Sequence, residues 1–146
     1  FNFPKAKIFL GDAGSYLCGS LIVMNVIKTH QLNFDISPFF YTSILFYLFF
    51  EVFFSFIRKA IKKKSPLRPD NLHLHMLLYN FFLKSKKYIN SNYKTALSIN
   101  LFYTILIIPA FYFQNNEIFS RYYFFFLITL YTFAYYLLLW KKNENI

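Results

Sequence analysis

Three groups of residues in this 146-residue chain have types and spacings that could do chemistry. The first is Gly11-Asp12-Ala13-Gly14-Ser15, set between a short apolar piece, Ile8 to Leu10, and a long apolar run. Two glycines free the backbone to aim successive N–H groups at an anion. A helix opening there adds unpaired N–H donors and partial positive charge, which favour a phosphate. Asp12 is a hard oxygen ligand of the kind Mg²⁺ takes while bridging phosphate oxygens. A plainer alternative is open at the same residues: Asp12 caps the helix and the glycines turn the chain.

The second group lies in Ser65-Pro66-Leu67-Arg68-Pro69-Asp70-Asn71-Leu72-His73-Leu74-His75-Met76-Leu77-Leu78. Two prolines make an extended lead-in, after which Asp70 or Asn71 can cap a helix running towards Phe82. On that helix His73 and His75 would stand about 200° apart, so they could not chelate one metal, whereas an extended segment puts both on one face. Histidines in a basic loop can also contact a diphosphate or shuttle a proton, or they can be incidental. The third group is Glu51, flanked by Phe49, Phe50, Val52, Phe53 and Phe54. A carboxylate in such a run costs on the order of 3 kcal/mol to place in lipid, so it should face protein or water and have a partner. Arg58, two helical turns further on, is the nearest cation on that face and can snorkel to the boundary. A packing carboxylate with no chemical role is the alternative.

These groups are carried by an unusually apolar chain, 57% hydrophobic and 25% aromatic, with 22 Phe and 13 Tyr and only 15% charged residues. A soluble domain of this size carries about 25% charged residues, so the fitting solvent is lipid. Four apolar stretches, about 14–30, 38–57, 95–113 and 119–140, approach or reach the length that crosses a hydrocarbon core. The first holds Gly19, Ser20 and Asn25 and suits the inside of a bundle. The expected fold is therefore all-α, a polytopic membrane bundle of about four transmembrane helices. Short polar turns at 31–37 and 114–118 join the paired spans, and a basic loop, about 58–93, separates the second from the third.

Charge orients this bundle. With 16 Lys and Arg against 6 Asp and Glu, the chain carries +10. Placing both termini and the central loop in the cytoplasm puts 14 of the 16 cations on the inner side, leaving only Lys28 and Arg121 outside. This accounts for the basicity without nucleic acid. Cys18, the one cysteine, can form no internal disulfide and belongs to no Cys-x-x-Cys pair.

Taken together, residues 2–15, Asn2-Phe3-Pro4-Lys5-Ala6-Lys7-Ile8-Phe9-Leu10-Gly11-Asp12-Ala13-Gly14-Ser15, resemble a signature of the polyprenyl-phosphate N-acetylhexosamine-1-phosphate transferases. Glu51 with Arg58, then Pro69-Asp70 leading into His73-Leu74-His75, is similar to a second signature of that superfamily in order and spacing. The resemblance implies an enzyme that transfers an N-acetylhexosamine 1-phosphate from a UDP-sugar to a polyprenyl phosphate, releasing UMP, for cell-envelope polysaccharide or peptidoglycan intermediates. It implies Mg²⁺, with Mn²⁺ as a substitute, and a place in the bacterial inner membrane with membrane lipid around it. Asp12 matches the metal-binding aspartate, Phe9 the residue stacked on uracil, and Asn2 one that lines the nucleotide pocket; Gly11 and Gly14 shape the phosphate loop. His73 and His75 match catalytic histidines of the loop that closes over the substrate phosphates, with Arg68 adding positive potential. Glu51 and Arg58 are its structural intramembrane pair.

The family's common His-x-His-His ends here in Met76, and the aspartate motifs of its N-terminal half do not occur. Residues 1–146 thus read as the C-terminal part of one integral-membrane transferase domain, with active-site loops about 1–13 and 58–93. The missing half would complete the site, and this piece alone should be inactive. Two other classes compete: a small four-span channel or transporter subunit with Glu51 on an ion path, and a structural membrane protein whose basic loop docks on anionic lipid. Neither explains the Gly-Asp-Ala-Gly-Ser loop, and the later spans lack the polar residues of an ion path.

Overall fold

The computed structural model describes residues 8, 10–65, 68–84 and 91–144. They form six helices, α1 (Gly11–Leu32), α2 (Pro38–Ile44), α3 (Phe46–Ile61), α4 (Leu74–Lys84), α5 (Ser91–Tyr112) and α6 (Glu117–Glu144), with no strand among the described residues. Local chemistry explains several of the ends. Ser37 caps α2, its hydroxyl accepting the Phe39 N–H at 3.3 Å, and Pro38 occupies the first turn, where its missing donor costs nothing. Asn116 Oδ1 accepts the Phe119 N–H at 2.9 Å and starts α6, with Glu117 in the positive first turn. At the far end of α3, Lys63 turns left-handed (φ 53°), and the Lys63 and Lys64 N–H groups return to Ala60 O and Lys59 O at 3.0 and 2.9 Å.

The bundle is apolar outside and partly polar inside. Leu48, Phe49, Val52, Phe53 and Phe56 of α3 face outward, as do Leu101, Phe102, Ile105 and Ile108 of α5 and Phe125, Phe126 and Phe133 of α6. Glu51, Ser55, Lys59, Ser91, Thr95 and Ser120 are buried. That inversion is what a protein solvated by lipid shows. One core cluster joins Phe46 and Phe50 of α3, Leu77 of α4 and Leu127, Tyr131 and Tyr135 of α6; a second joins Phe40 and Tyr41 of α2 to Ala110 of α5. Helix α1 buries no residue and meets this body through Val26 and the His30 ring, which stands edge-on to Tyr41 at 5.8 Å.

Helices α5 and α6 are long and apolar enough to cross a membrane, and α2 with α3 makes a third crossing if the pair is one span. The all-helical membrane fold expected from the sequence is therefore present, with two or three such helices among the described residues where about four were expected. Helix α1 has the length, but Asp12, Asn25 and Lys28 dilute its apolar run. The second expected span is broken at Leu45, where α3 leaves α2 at 76°. The Tyr103 phenol from α5 fills the break: its oxygen accepts the Tyr47 N–H at 3.4 Å and lies within donating reach of the Ser43 and Ile44 carbonyls. Carbonyls freed by a bend need such a partner in lipid.

The two short turns share one end of the bundle, since Ser37 N donates to Gln114 O at 2.9 Å. The basic end of α3, the start of α5 and Lys141 and Lys142 of α6 therefore lie toward the other end. Helix α4 occupies that half too, beside the C-terminal half of α6: Leu74 sits by Glu51 and Tyr131, and Phe81 sits under Lys141 at 5.2 Å. The helix expected to run towards Phe82 within the central basic segment is thus present, and it packs into the bundle.

Candidate functional site

Helix periodicity builds the site. On α3, Glu51, Ser55, Arg58 and Lys59 recur at four and seven or eight residues, one polar stripe turned toward the other helices. The segment 68–74 runs back along this stripe. Lys59 Nζ donates to Arg68 O at 2.7 Å; Arg58 Nη2 meets Asp70 Oδ1 and Oδ2 at 3.2 and 3.0 Å and Ser55 Oγ at 3.1 Å; Glu51 Oε1 meets His73 Nδ1 and Leu74 N, each at 3.0 Å. The other Glu51 oxygen accepts the Tyr131 hydroxyl of α6 at 2.6 Å. Three elements are thereby joined through one carboxylate that is only 8% exposed.

These contacts correct two expectations. Arg58 is not the partner of Glu51: two turns along a helix is about 10 Å, and Asp70, brought between them by the returning segment, takes the guanidinium. Nor does Asp70 or Asn71 cap α4. Asp70 Oδ1 accepts the Leu72 N–H at 3.2 Å, closing the turn before the helix, and the orphan Leu74 N–H at the start of α4 goes to Glu51. Glu51 therefore caps a helix 23 residues further along the chain.

The Glu51 contact also fixes which ring nitrogen of His73 bears the facing hydrogen. A carboxylate only accepts, so the Nδ1 nitrogen carries the proton, and in the neutral ring Nε2 keeps a free lone pair. That nitrogen stands 3.8 Å from Asp70 Oδ1. The ring of His75 stacks on that of His73, with centroids 5.5 Å apart and planes 20° apart, so both histidines share one patch without helical separation. Burial pushes the His75 imidazole below its ordinary value, and this outweighs the pull of the Glu51 charge, with the neighbouring His73 adding to the depression. Burial alone would raise the Asp70 carboxyl. The Arg58 bond, the Leu72 N–H and the charges of Arg58 and Lys59 together hold it below its usual range. Beside this ladder a cleft of about 530 Å³ is bounded by Lys59, Lys63, Lys64, Arg68 and Asp70, a cationic concavity of the kind that concentrates anions.

The glycine loop has contacts of its own, with Ser15 Oγ donating to Gly11 O at 2.8 Å. Leu10, not Asp12, occupies the cap position of α1, and no side chain caps the helix; Asp12 lies exposed within the first turn. Gly11 begins α1 at φ 68°, a conformation that favours glycine, and a Cβ on Gly14 would fall 2.7 Å from the Leu10 side chain folded over it. Among the described residues, no hydrogen bond or ion pair joins Asp12 to the histidine segment, and no three His, Cys, Asp or Glu side chains gather to hold a metal. Asn2 and Phe9 lie outside the described residues. Sequence reasoning missed Tyr131, and it took Lys59 for a loop cation; its recurrence eight residues after Glu51 was the available signal.

An all-helical, lipid-solvated bundle with a polar stripe, paired histidines and a cationic cleft at one end defines an integral membrane protein with a charged site between its helices. Comparison with known proteins narrows this. Residues 1–30 match the sequence model of the family described as Glycosyl transferase family 4. The chain is 35% identical over 75 residues to an undecaprenyl-phosphate alpha-N-acetylglucosaminyl 1-phosphate transferase of Thermotoga maritima, a match covering 51% of this chain and 24% of the relative. It is 34% identical over 85 residues to the protein of the same name from Haemophilus influenzae, covering 58% and 24%. A decaprenyl-phosphate N-acetylglucosaminephosphotransferase of Mycobacterium leprae is 29% identical over 86 residues, covering 51% and 22%. The resemblance seen in the motifs is borne out, and the chain spans about a quarter of the length of these curated relatives. No solved structure matches it.

Proposed function

We propose that this chain is the histidine-bearing part of a membrane transferase that moves an N-acetylhexosamine 1-phosphate from a UDP-sugar to a polyprenyl phosphate. In that reaction an oxygen of the lipid phosphate attacks the sugar-bearing phosphorus of the nucleotide. The bond from that phosphorus to the bridging oxygen breaks, and UMP departs with the electron pair. The observation that carries the reading is the ladder from Lys59 to Glu51, which holds His73 and His75 together beside a cationic cleft. Phosphoryl transfer needs little from a protein beyond positioning and charge neutralisation. Lys63, Lys64 and Arg68 supply positive potential for the diphosphate, and the Nε2 lone pair of a neutral His73 ring can accept the proton of a phosphate hydroxyl, leaving the phosphate oxygen anionic and the ring an imidazolium. An apolar cavity of about 330 Å³ between α3, α4, α5 and α6 shares Tyr131 and Leu74 with the histidine cluster and so offers apolar surface beside it for hydrocarbon.

Mg²⁺ fits this chain through one residue. Mg²⁺ takes one or two carboxylates and fills its remaining positions with phosphate oxygens and water. Asp12, exposed beside the N–H groups of the first turn of α1, is such a carboxylate. When bound, the ion would neutralise charge on the diphosphate. The histidine segment and the Lys141–Lys142 end of α6 face the cytoplasm of a bacterial inner membrane, where the nucleotide is dissolved, an orientation supported by the positive charge collected at that end.

The test is turnover in the whole protein that carries this chain. Purified in detergent with UDP-N-acetylglucosamine, polyprenyl phosphate and Mg²⁺, it should release UMP; the Asp12→Asn variant should lose this by at least a hundredfold while eluting as a monodisperse species with an unchanged unfolding midpoint. An Asp12→Asn protein that keeps wild-type turnover refutes the assignment of Asp12. A wild-type protein that forms no lipid diphosphate with any UDP-N-acetylhexosamine refutes the function.

A further inference from the structure

We propose that Tyr131, in the middle of the last membrane helix, is a positioning residue for the transfer, acting on His73 through Glu51; the inference rests on the transferase reading above. Glu51 has three rotatable bonds, and its Oε1 must point at both Leu74 N and His73 Nδ1. Its second oxygen has one anchor among the described residues, the Tyr131 hydroxyl at 2.6 Å. That hydroxyl cannot follow a wandering carboxylate. Tyr131 is 6% exposed, and its ring stands edge-on to Phe46, Phe50 and Phe54 with centroids 6.2, 5.1 and 5.3 Å away. The phenol on α6 is thus a fixed point, the carboxylate on α3 is a lever held at that point, and the imidazole just before α4 takes its orientation and its tautomer from the lever's other end, which accepts its Nδ1–H. An angstrom of misplacement at a reacting group can cost a hundredfold in rate, so the removal of one hydroxyl far from any phosphate should be felt in turnover. Simple packing by Tyr131 does not require this, because Phe preserves every ring contact.

Steady-state UMP release is measured for the wild-type whole protein, Tyr131→Phe, His73→Gln and the double variant, varying the UDP-sugar. Tyr131→Phe should lower kcat by about tenfold with KM for the nucleotide sugar changed less than twofold, since the cleft is untouched. In the His73→Gln background the same change should cost less than twofold, because the imidazole whose placement the lever controls is then absent. If Tyr131→Phe does not fold, Glu51→Asp replaces it: the charge stays, the arm is shortened, and the same coupling to His73 is expected. Wild-type turnover in Tyr131→Phe, or losses that multiply in the double variant, overturn the proposal while leaving the transferase reading intact. A wild-type protein without turnover removes that reading and the proposal with it.

Discussion

Glu51→Ala is the perturbation that the ladder makes most quantitative. The carboxylate accepts from Tyr131 Oη at 2.6 Å and from Leu74 N and His73 Nδ1 at 3.0 Å. Removing it leaves the N–H that begins α4 and a phenol without their acceptor, and each buried polar group so stranded costs about 1–3 kcal/mol. The stranded groups together should cost about 3–5 kcal/mol. Glu51→Gln behaves differently. Its carbonyl can face Leu74 and His73 while its amide turns to Tyr131, whose hydroxyl can rotate to accept. Only charge assistance is lost, about half of each bond's strength, so about 1–2 kcal/mol. The quantity to measure is local: amide hydrogen exchange of residues 70–77 in detergent, which reports opening of this segment. At about 1.4 kcal/mol per tenfold, Ala should speed exchange by more than a hundredfold and Gln by about tenfold. Exchange in Glu51→Ala within threefold of wild type, or faster exchange in Gln than in Ala, would refute the claim that Glu51 pins the segment.

Two further outcomes follow from other contacts. Tyr103→Phe removes the hydroxyl that serves the Ser43 and Ile44 carbonyls at the break between α2 and α3; the loss should be about 1–3 kcal/mol, seen as a lower thermal midpoint in detergent, and an unchanged midpoint would count against the phenol as the stabiliser of the bend. Arg58→Met tests the Asp70 pair through acid. Because the folded carboxyl titrates below its ordinary value, the unfolded chain binds more protons through that range. The pair's stabilisation is therefore complete above about pH 4 and fades as pH falls through the lower, folded value. The variant should be less stable at pH 7 and should lose little more on acidification, whereas parallel midpoints from pH 7 to 3 in both proteins would contradict the pairing.

Apolar length is a one-dimensional property, and for that reason the spans expected at 38–57, 95–113 and 119–140 correspond to helices α2 with α3, α5 and α6. The break at Leu45 is not one-dimensional. It depends on a phenol 58 residues away, and nothing local to Leu45 announces it. The chemistry-bearing residues were legible by type: Glu51, Arg58, Asp70, His73 and His75 all meet in the ladder. Their pairing was not, because helical spacing ranks neighbours within one element, whereas the returning segment inserts Asp70 opposite Arg58 and leaves Glu51 for His73. Tyr131 was illegible in a chain with 13 tyrosines, since only packing distinguishes a phenol aimed at a carboxylate from one in lipid. At Gly11, a positive φ agrees with the turn inferred from the glycines, and Asp12 sits one position deeper than a cap.

The ladder also dissolves a choice that the sequence left open, whether Glu51 is a packing carboxylate or a chemical one. A charge between apolar helices is tolerated only where hydrogen bonds replace its water. Here two of the three bonds come from the histidine segment itself: the N–H that opens α4 and the imidazole of His73. The groups that make the burial of Glu51 bearable are thus the groups whose placement it determines, so structure and positioning rest on the same atoms. Such an arrangement cannot be improved for stability by an apolar substitute without releasing the segment. Glu51→Leu would fill the volume and could even raise the unfolding midpoint of α3 and α6 against each other, yet it should free residues 70–77 to exchange as fast as in Glu51→Ala. A stabilised bundle with a loosened histidine segment is an outcome that packing alone does not predict, and hydrogen exchange beside a thermal midpoint on the same sample would show it.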